Sequence, residues 1–264
     1  CDRSNNFDND ALSLLNFYIS KAKTRELSGS IYNELIISNT NRITMSPKWL
    51  KNHRNNQYDF AYQDSENYLY LYSNKGDLFW RKKLSGQIIG EIKQVDLYKN
   101  GRLQMAFRTS DKFYIIDRDG SVVKPFEISI KDSNDINPLS IFDYENDKNY
   151  RFLISQDNFM KMYDSKGRDV SGFNPANLNS DILNPPVHIR IKGKDYIVVQ
   201  LKNGELKILD RRGKDRISIK ENINFSNNNF FSFINLFTTT DTNGDLIQID
   251  MNGNIIKNQY NLGD

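Results

Sequence analysis

Few side chains in this 264-residue sequence are of types that could do chemistry, and they lie far apart. Histidine occurs twice, as His53 and His188. Either could act as a general base near neutral pH, but two are too few for a histidine metal site. Cys1 is the single cysteine, which leaves no intramolecular disulfide and no cysteine-rich metal site. Asp241-Thr242-Asn243-Gly244-Asp245 opens like a calcium loop, in which alternating oxygens surround a hard cation. The Glu that completes an EF-hand is missing, because Asn252 stands in the twelfth position. A turn stabilised by the Asp241 side chain is the better account of that segment. Arg211, Arg212, Lys214 and Arg216 form a basic cluster that reads as a solvated hairpin tip, and Trp49 and Trp80 read as packing residues. There is no Gly-x-Ser-x-Gly elbow, phosphate loop or His-Glu-x-x-His pair. No catalytic residue, metal ligand or cofactor is assigned, and any ligand-binding residues stay unknown.

The elements that would position these residues show themselves as a repeat. Leu206-Lys207-Ile208-Leu209-Asp210-Arg211-Arg212-Gly213 is an apolar strand running into Asp, two polar residues and Gly. The pattern recurs with Gly76, Gly120, Gly167 and Gly253, Ser73 replacing Asp in the first copy. Asp or Ser at the start of a type I turn accepts backbone hydrogen bonds, and Gly supplies the φ > 0 that lets a second strand return. Each motif is therefore a hairpin. The spacing of 40 to 47 residues between successive glycines predicts an all-β fold of four-stranded antiparallel blades, a β-propeller.

Five blades are recognisable, at approximately 47–84, 88–130, 137–173, 186–220 and 229–260. They make a propeller domain of 33–264 behind an anchor or linker segment, 1–32. Within that segment residues 11–20 lean towards strand, any helix is confined to the first thirty residues, and 21–30 reads as a charged linker. Residues 34–38 read as an outer strand without a hairpin partner, a spare that favours a larger ring. Pro47, Pro138, Pro185 and Pro186 fall where inner strands should start, the place a residue without an N–H fits. The loops that depart most from the repeat, Ile130–Pro138, Asn174–Pro186 and Glu221–Asn229, are the expected recognition elements.

Composition sets outer limits. Hydrophobic residues make up 38% and aromatics 12%, which suits an antiparallel fold with many exposed turns. A net charge of +3 on 36 basic and 33 acidic residues gives no electrostatic case for nucleic acid, so none is expected as a partner. No apolar run is long enough to span a bilayer as a helix.

The stretch Asn67–Leu84 resembles a blade of the propellers first named for pyrroloquinoline quinone enzymes. Residues 11–264 resemble membrane-anchored envelope proteins of Bacteroidota, through Ile141–Tyr144, Gly193–Val198 and Phe237–Thr240. The resemblance implies a periplasmic, outer-membrane or cell-surface location and a membrane tether, by lipid or by an upstream anchor. Cys1 resembles the processed end of a bacterial lipoprotein, whose thiol carries the lipid; the alternative is that a longer protein was cut there. Quinoprotein chemistry is not expected, since those enzymes need eight blades, a calcium-bound cofactor and typically a cysteine pair. The expected function is a non-catalytic scaffold that binds a protein partner in the cell envelope, with the outer-membrane barrel-assembly propeller lipoprotein as the analogy. The alternative is a glycan- or small-ligand-binding module, which exposed aromatics clustered on one face would favour.

Overall fold

The structure is a computed structural model that describes residues 23–27, 30–34, 41–175 and 178–259. Among the described residues there are strands and turns and no helix. The chain divides into two compact units, Cys1–Ile130 and Lys131–Asp264.

The first unit contains a hairpin, β1 (Lys23–Leu27) with β2 (Ser30–Glu34), in the stretch read as a charged linker. The strand formers Thr24, Ile31 and Tyr32 explain that difference. Glu34 closes β2; the rest of the expected strand 34–38, the segment 11–20 and Cys1 lie outside the described residues. Two four-stranded antiparallel meanders follow. One is β3 (Ile43–Lys51), β4 (Tyr58–Asp64), β5 (Tyr68–Tyr72) and β6 (Leu78–Lys83); the other is β7 (Ile89–Val95), β8 (Gln104–Arg108), β9 (Lys112–Ile116) and β10 (Val122–Ser129). Leu50, Leu69 and Leu71 of the first pack against Ile92, Phe107 and Tyr114 of the second.

The second unit holds three sheets. The first is three-stranded, β11 (Ser140–Phe142), β12 (Arg151–Gln156) and β13 (Phe159–Asp164), with a single bridge, Tyr163↔Asp169, where a fourth strand would run. The others have four strands: β14 (Val187–Ile191), β15 (Lys194–Gln200), β16 (Leu206–Leu209), β17 (Asp215–Ile217), then β18 (Phe231–Phe233), β19 (Leu236–Thr240), β20 (Leu246–Ile249), β21 (Ile255–Asn258). One apolar core joins the first two sheets through Leu153, Met162 and Ile197; a second joins the last two through Tyr196, Ile208 and Phe237.

These are β-propeller blades, each a meander in chain order. Central strands such as β8 and β15 are buried on both faces, whereas the outer strand β6 is largely exposed. That contrast lets so polar a sequence keep an apolar core within each unit. The five repeated turns form as expected: Gly76, Gly120, Gly167, Gly213 and Gly253 each donate to the carbonyl three residues back, at 2.9–3.2 Å, with φ of +75° to +93°. Ser73, Asp164, Asp210 and Asp250 each use one side-chain oxygen to accept two backbone N–H groups of their own turn. Pro47 differs from its expected place at a strand start. It lies inside β3, where the register shifts between Met45 and Lys48, and such an irregularity tolerates a residue that cannot donate.

Candidate interaction site

Two acid–arginine–histidine clusters stand near the start of a second strand, on β4 and on β15. In the first unit the acid is Asp59, buried on β4. The turn after β9 brings Arg118 to it, donating from Nε at 3.0 Å and Nη2 at 2.8 Å to Oδ2. Asn52 Nδ2 donates to Oδ1 at 3.2 Å, and the Arg118 guanidinium lies 4.5 Å from the Phe79 ring centre. His53 sits beside this pair and accepts the Leu103 backbone N–H on Nδ1 at 3.1 Å. Burial, followed by the charges of Arg118 and Arg54, lowers the His53 pKa below the usual histidine value. An imidazole held as an acceptor among arginines is a latch between two sheets, not a poised base.

The second-unit residue is Asp195 on β15, also buried. His188 Nε2 lies 2.8 Å from its Oδ1, and Arg211 Nε donates to Oδ2 at 2.7 Å. Arg211 also pairs with Glu145, which receives Arg190 at 3.0 Å. Arg216 donates to the Asp195 carbonyl at 2.9 Å and lies over the Tyr196 ring. The Arg211 guanidinium lies 4.6 Å from the ring centre of Tyr144, whose edge meets the His188 ring at 4.8 Å. Hydrogen bonds from Arg211 and Arg190 hold the Glu145 carboxyl below its usual range, and burial pushes the Tyr144 phenol up. The basic hairpin tip is thus not simply solvated: Arg211 and Arg216 turn back onto β15. The sequence hid this because the partners Glu145 and Asp195 are 66 and 16 residues away from Arg211.

A histidine against a buried carboxylate has the geometry of the base half of a catalytic triad. Among the described residues, however, no hydroxyl or thiol hydrogen-bonds His188; its ring packs beside Phe142 and Tyr144. The Asp241 segment forms a side-chain-stabilised turn. Asp241 Oδ1 accepts the N–H groups of Asn243 and Asp245, and Lys257 bridges Asp241 and Asp245 at 2.7 and 2.9 Å.

The three long loops are tied to the blades they lead into. Each enters its blade by accepting a backbone N–H from that blade's central turn: Asp157 to Asp135, Lys202 to Asp181, Thr242 to Asn224. On leaving a blade the chain donates back to the same turn, as Leu84 does to Asn67, Ile130 to Asp111, Ile182 to Asp157 and Ile223 to Gly204. Gln63, Gln156 and Gln200 fasten the connections further, to Gly86, Lys131 and Asn228. Ile182 and Phe225 are buried by this arrangement. The sequence varies in these loops while their backbone hydrogen bonds repeat, so only the pairing reveals their structural role.

Exposed apolar side chains are what these contacts leave over. Trp80 packs as expected, its Nε1 donating to the Arg118 carbonyl at 2.7 Å. Trp49 does not: it is 62% exposed, touching Phe60 edge-on at 5.7 Å. The pairs Trp49↔Phe60 and Lys51↔Tyr58 put Trp49 and the exposed Tyr58 on one face of their sheet. In the same row Phe60 pairs with Tyr72, which pairs with the exposed Leu78.

No family model matches the sequence, and no curated protein matches it. Solved structures do match the fold. The crystal structure of BBS1N in complex with ARL6DN superposes with a TM-score of 0.55 at 10% identity, covering 81% of this chain and 65% of that one. BamB from Moraxella catarrhalis superposes with a TM-score of 0.53 at 14% identity, covering 90% of this chain and 70% of BamB. Both are β-propellers. The chain is similar to them in fold, and it spans about two thirds of the length of the first.

Proposed function

We propose that this chain is a non-catalytic propeller scaffold that binds a protein partner at the bacterial cell envelope. The observation that carries the reading is the blade fold, which it shares with a propeller crystallised in complex with ARL6DN. The engagement of both histidines, by the Leu103 backbone and by Asp195, supports it further. Propellers offer rigid surfaces for recognition, and a fold alone assigns no chemistry. The envelope setting rests on the resemblance of residues 11–264 to membrane-anchored envelope proteins. A tether by lipid on Cys1, or by an anchor upstream, belongs to the same reading. Mass spectrometry of the native protein distinguishes the two tethers. Isolation of the native protein with its partners tests the scaffold; a protein that elutes alone after gentle cross-linking contradicts it.

A second reading has one observation in its favour. Trp49 and Tyr58, 62% and 54% exposed on one sheet face, have the chemistry of a glycan platform. Saturable binding to a glycan array that disappears in Trp49→Ala would select this reading over the first.

A further inference from the structure

We propose that one end of the second unit settles on an anionic lipid surface, with the tip of the β18–β19 hairpin entering it. The inference goes beyond the protein partner proposed above and stands or falls without it. The tip is Ile234-Asn235, and both residues have positive φ, +48° and +60°. Asn and Gly adopt that conformation readily, whereas a β-branched residue is strained in it. An isoleucine stands there all the same, and it is 74% exposed. On the strand leading to it, Phe231 and Phe233 are 53% and 51% exposed. They pair with Thr238 and Leu236, on either side of the buried core residue Phe237, so both rings lie on the face turned away from the core. A strained apolar residue at an exposed tip costs the fold stability, which points to a contact made by that side chain.

The neighbouring hairpin has the same two-residue turn with the opposite chemistry. β14 lies beside β18, and its turn to β15 is Lys192-Gly193, with φ of +50° and +75°. Both tips stand at the same end of the unit. The loop 221–229 receives the Thr242 N–H at Asn224, and its own Ile223 N–H donates to Gly204. One loop therefore holds the far ends of β15 and β19 together, and their near ends carry the two tips. The turn after β16 returns to that near end. Lys192, Lys194, Arg212 and Lys214 are exposed there, and none pairs with an acid among the described residues. Of the acids in the same sheet end, Asp195 is held by Arg211, and Asp210 accepts the N–H groups of Arg212 and Lys214. Asp215 is the acid that remains.

Charge selects the occupant. An apolar finger beside uncommitted cations fits the boundary of an anionic bilayer, where apolar side chains enter between headgroups and basic ones meet the phosphates. Long lysine and arginine stems keep the charges at headgroup level while Ile234 and Phe233 sit deeper. A second copy docked tip to tip would set the same cations against one another.

The test is flotation of the purified 264-residue chain, without lipid on Cys1, with vesicles. Phosphatidylglycerol mixed with phosphatidylcholine is compared with phosphatidylcholine alone. The expected result is binding to the anionic vesicles only, weakening as salt is raised. Ile234→Gly should reduce that binding about tenfold. The same variant should unfold at an equal or higher urea concentration, since glycine takes φ > 0 without strain. Lys192→Gln with Lys194→Gln should reduce binding about twenty-fivefold, roughly fivefold for each charge. Brominated acyl chains should quench the emission added by Ile234→Trp. Absence of flotation, equal binding to neutral vesicles, or equal binding by Ile234→Gly overturns the proposal. So does a dimer that Ile234→Gly splits, which gives the tip to a second copy. A photo-cross-link from position 234 to another protein in the native cell overturns it as well. If Ile234→Gly does not fold, Ile234→Asn carries the same comparison.

Discussion

The Asp59 and Asp195 clusters use the same three residue types near the start of a second strand, and they solve the problem differently. Asp59 takes its arginine from the turn of the following sheet, and Arg118 is nearly enclosed, its side chain 14% exposed. Asp195 takes its arginine from its own sheet, and Arg211 stays 41% exposed with Glu145 beyond it. Asp59 is served by one arginine and one asparagine, whereas Asp195 has His188, Arg211 and Arg190 within reach. The difference teaches that a buried acid can be answered either from the following sheet or from its own. A buried ion pair with one arginine is a lock, and a half-exposed network with several is redundant.

Substitutions can break that comparison. Arg118→Ala should show the largest effect, a loss of about 3 kcal/mol, because it strands a buried carboxylate. Urea unfolding reads it, and a loss under 1 kcal/mol would mean that Asp59 is not locked. Gly213→Val should follow at about 2 kcal/mol. Its φ is +80°, and a Cβ there would sit 2.7 Å from the Pro175 backbone. Arg211→Ala should cost only about 1 kcal/mol, since His188 and Arg190 remain beside Asp195 and the pair is half-exposed. An Arg211 loss equal to that of Arg118 would erase the distinction between lock and network.

The histidine in the first cluster sharpens it further. The folded His53 pKa lies below the ordinary 6.5, so the unfolded chain binds the proton first as pH falls. Its contribution is therefore complete above pH 6.5 and declines as pH falls from there towards the folded pKa. His53→Gln should flatten stability across that window, and an unchanged slope would show that His53 does not titrate differently on folding. Glu145→Gln should be the mildest change, with no resolvable shift in the unfolding midpoint.

How far this was legible in the sequence depends on the range of the interaction. The five turns were readable because every hydrogen bond that makes them lies within five residues of its Asp or Ser. The all-β blades follow from those turns and their spacing. The β1–β2 hairpin was missed because its charged residues looked like a linker. Pro47 misled because an irregularity inside a strand leaves no local mark. The clusters were out of reach: Arg118 meets Asp59 across 59 residues, and nothing near Arg211 announces Glu145. The anchoring of the long loops was hidden for a related reason, since backbone hydrogen bonds to a turn place little demand on side-chain identity.

The account's central claim is that the chain acts by holding a protein. The most direct test isolates the native protein from its own cells after mild cross-linking and quantifies what travels with it. His188→Gln and Trp49→Ala versions are carried in parallel. The account predicts a partner at near-equal stoichiometry that survives His188→Gln, with no turnover that depends on that histidine. A protein that is always recovered alone, or a reaction lost in His188→Gln while the fold is intact, would contradict it.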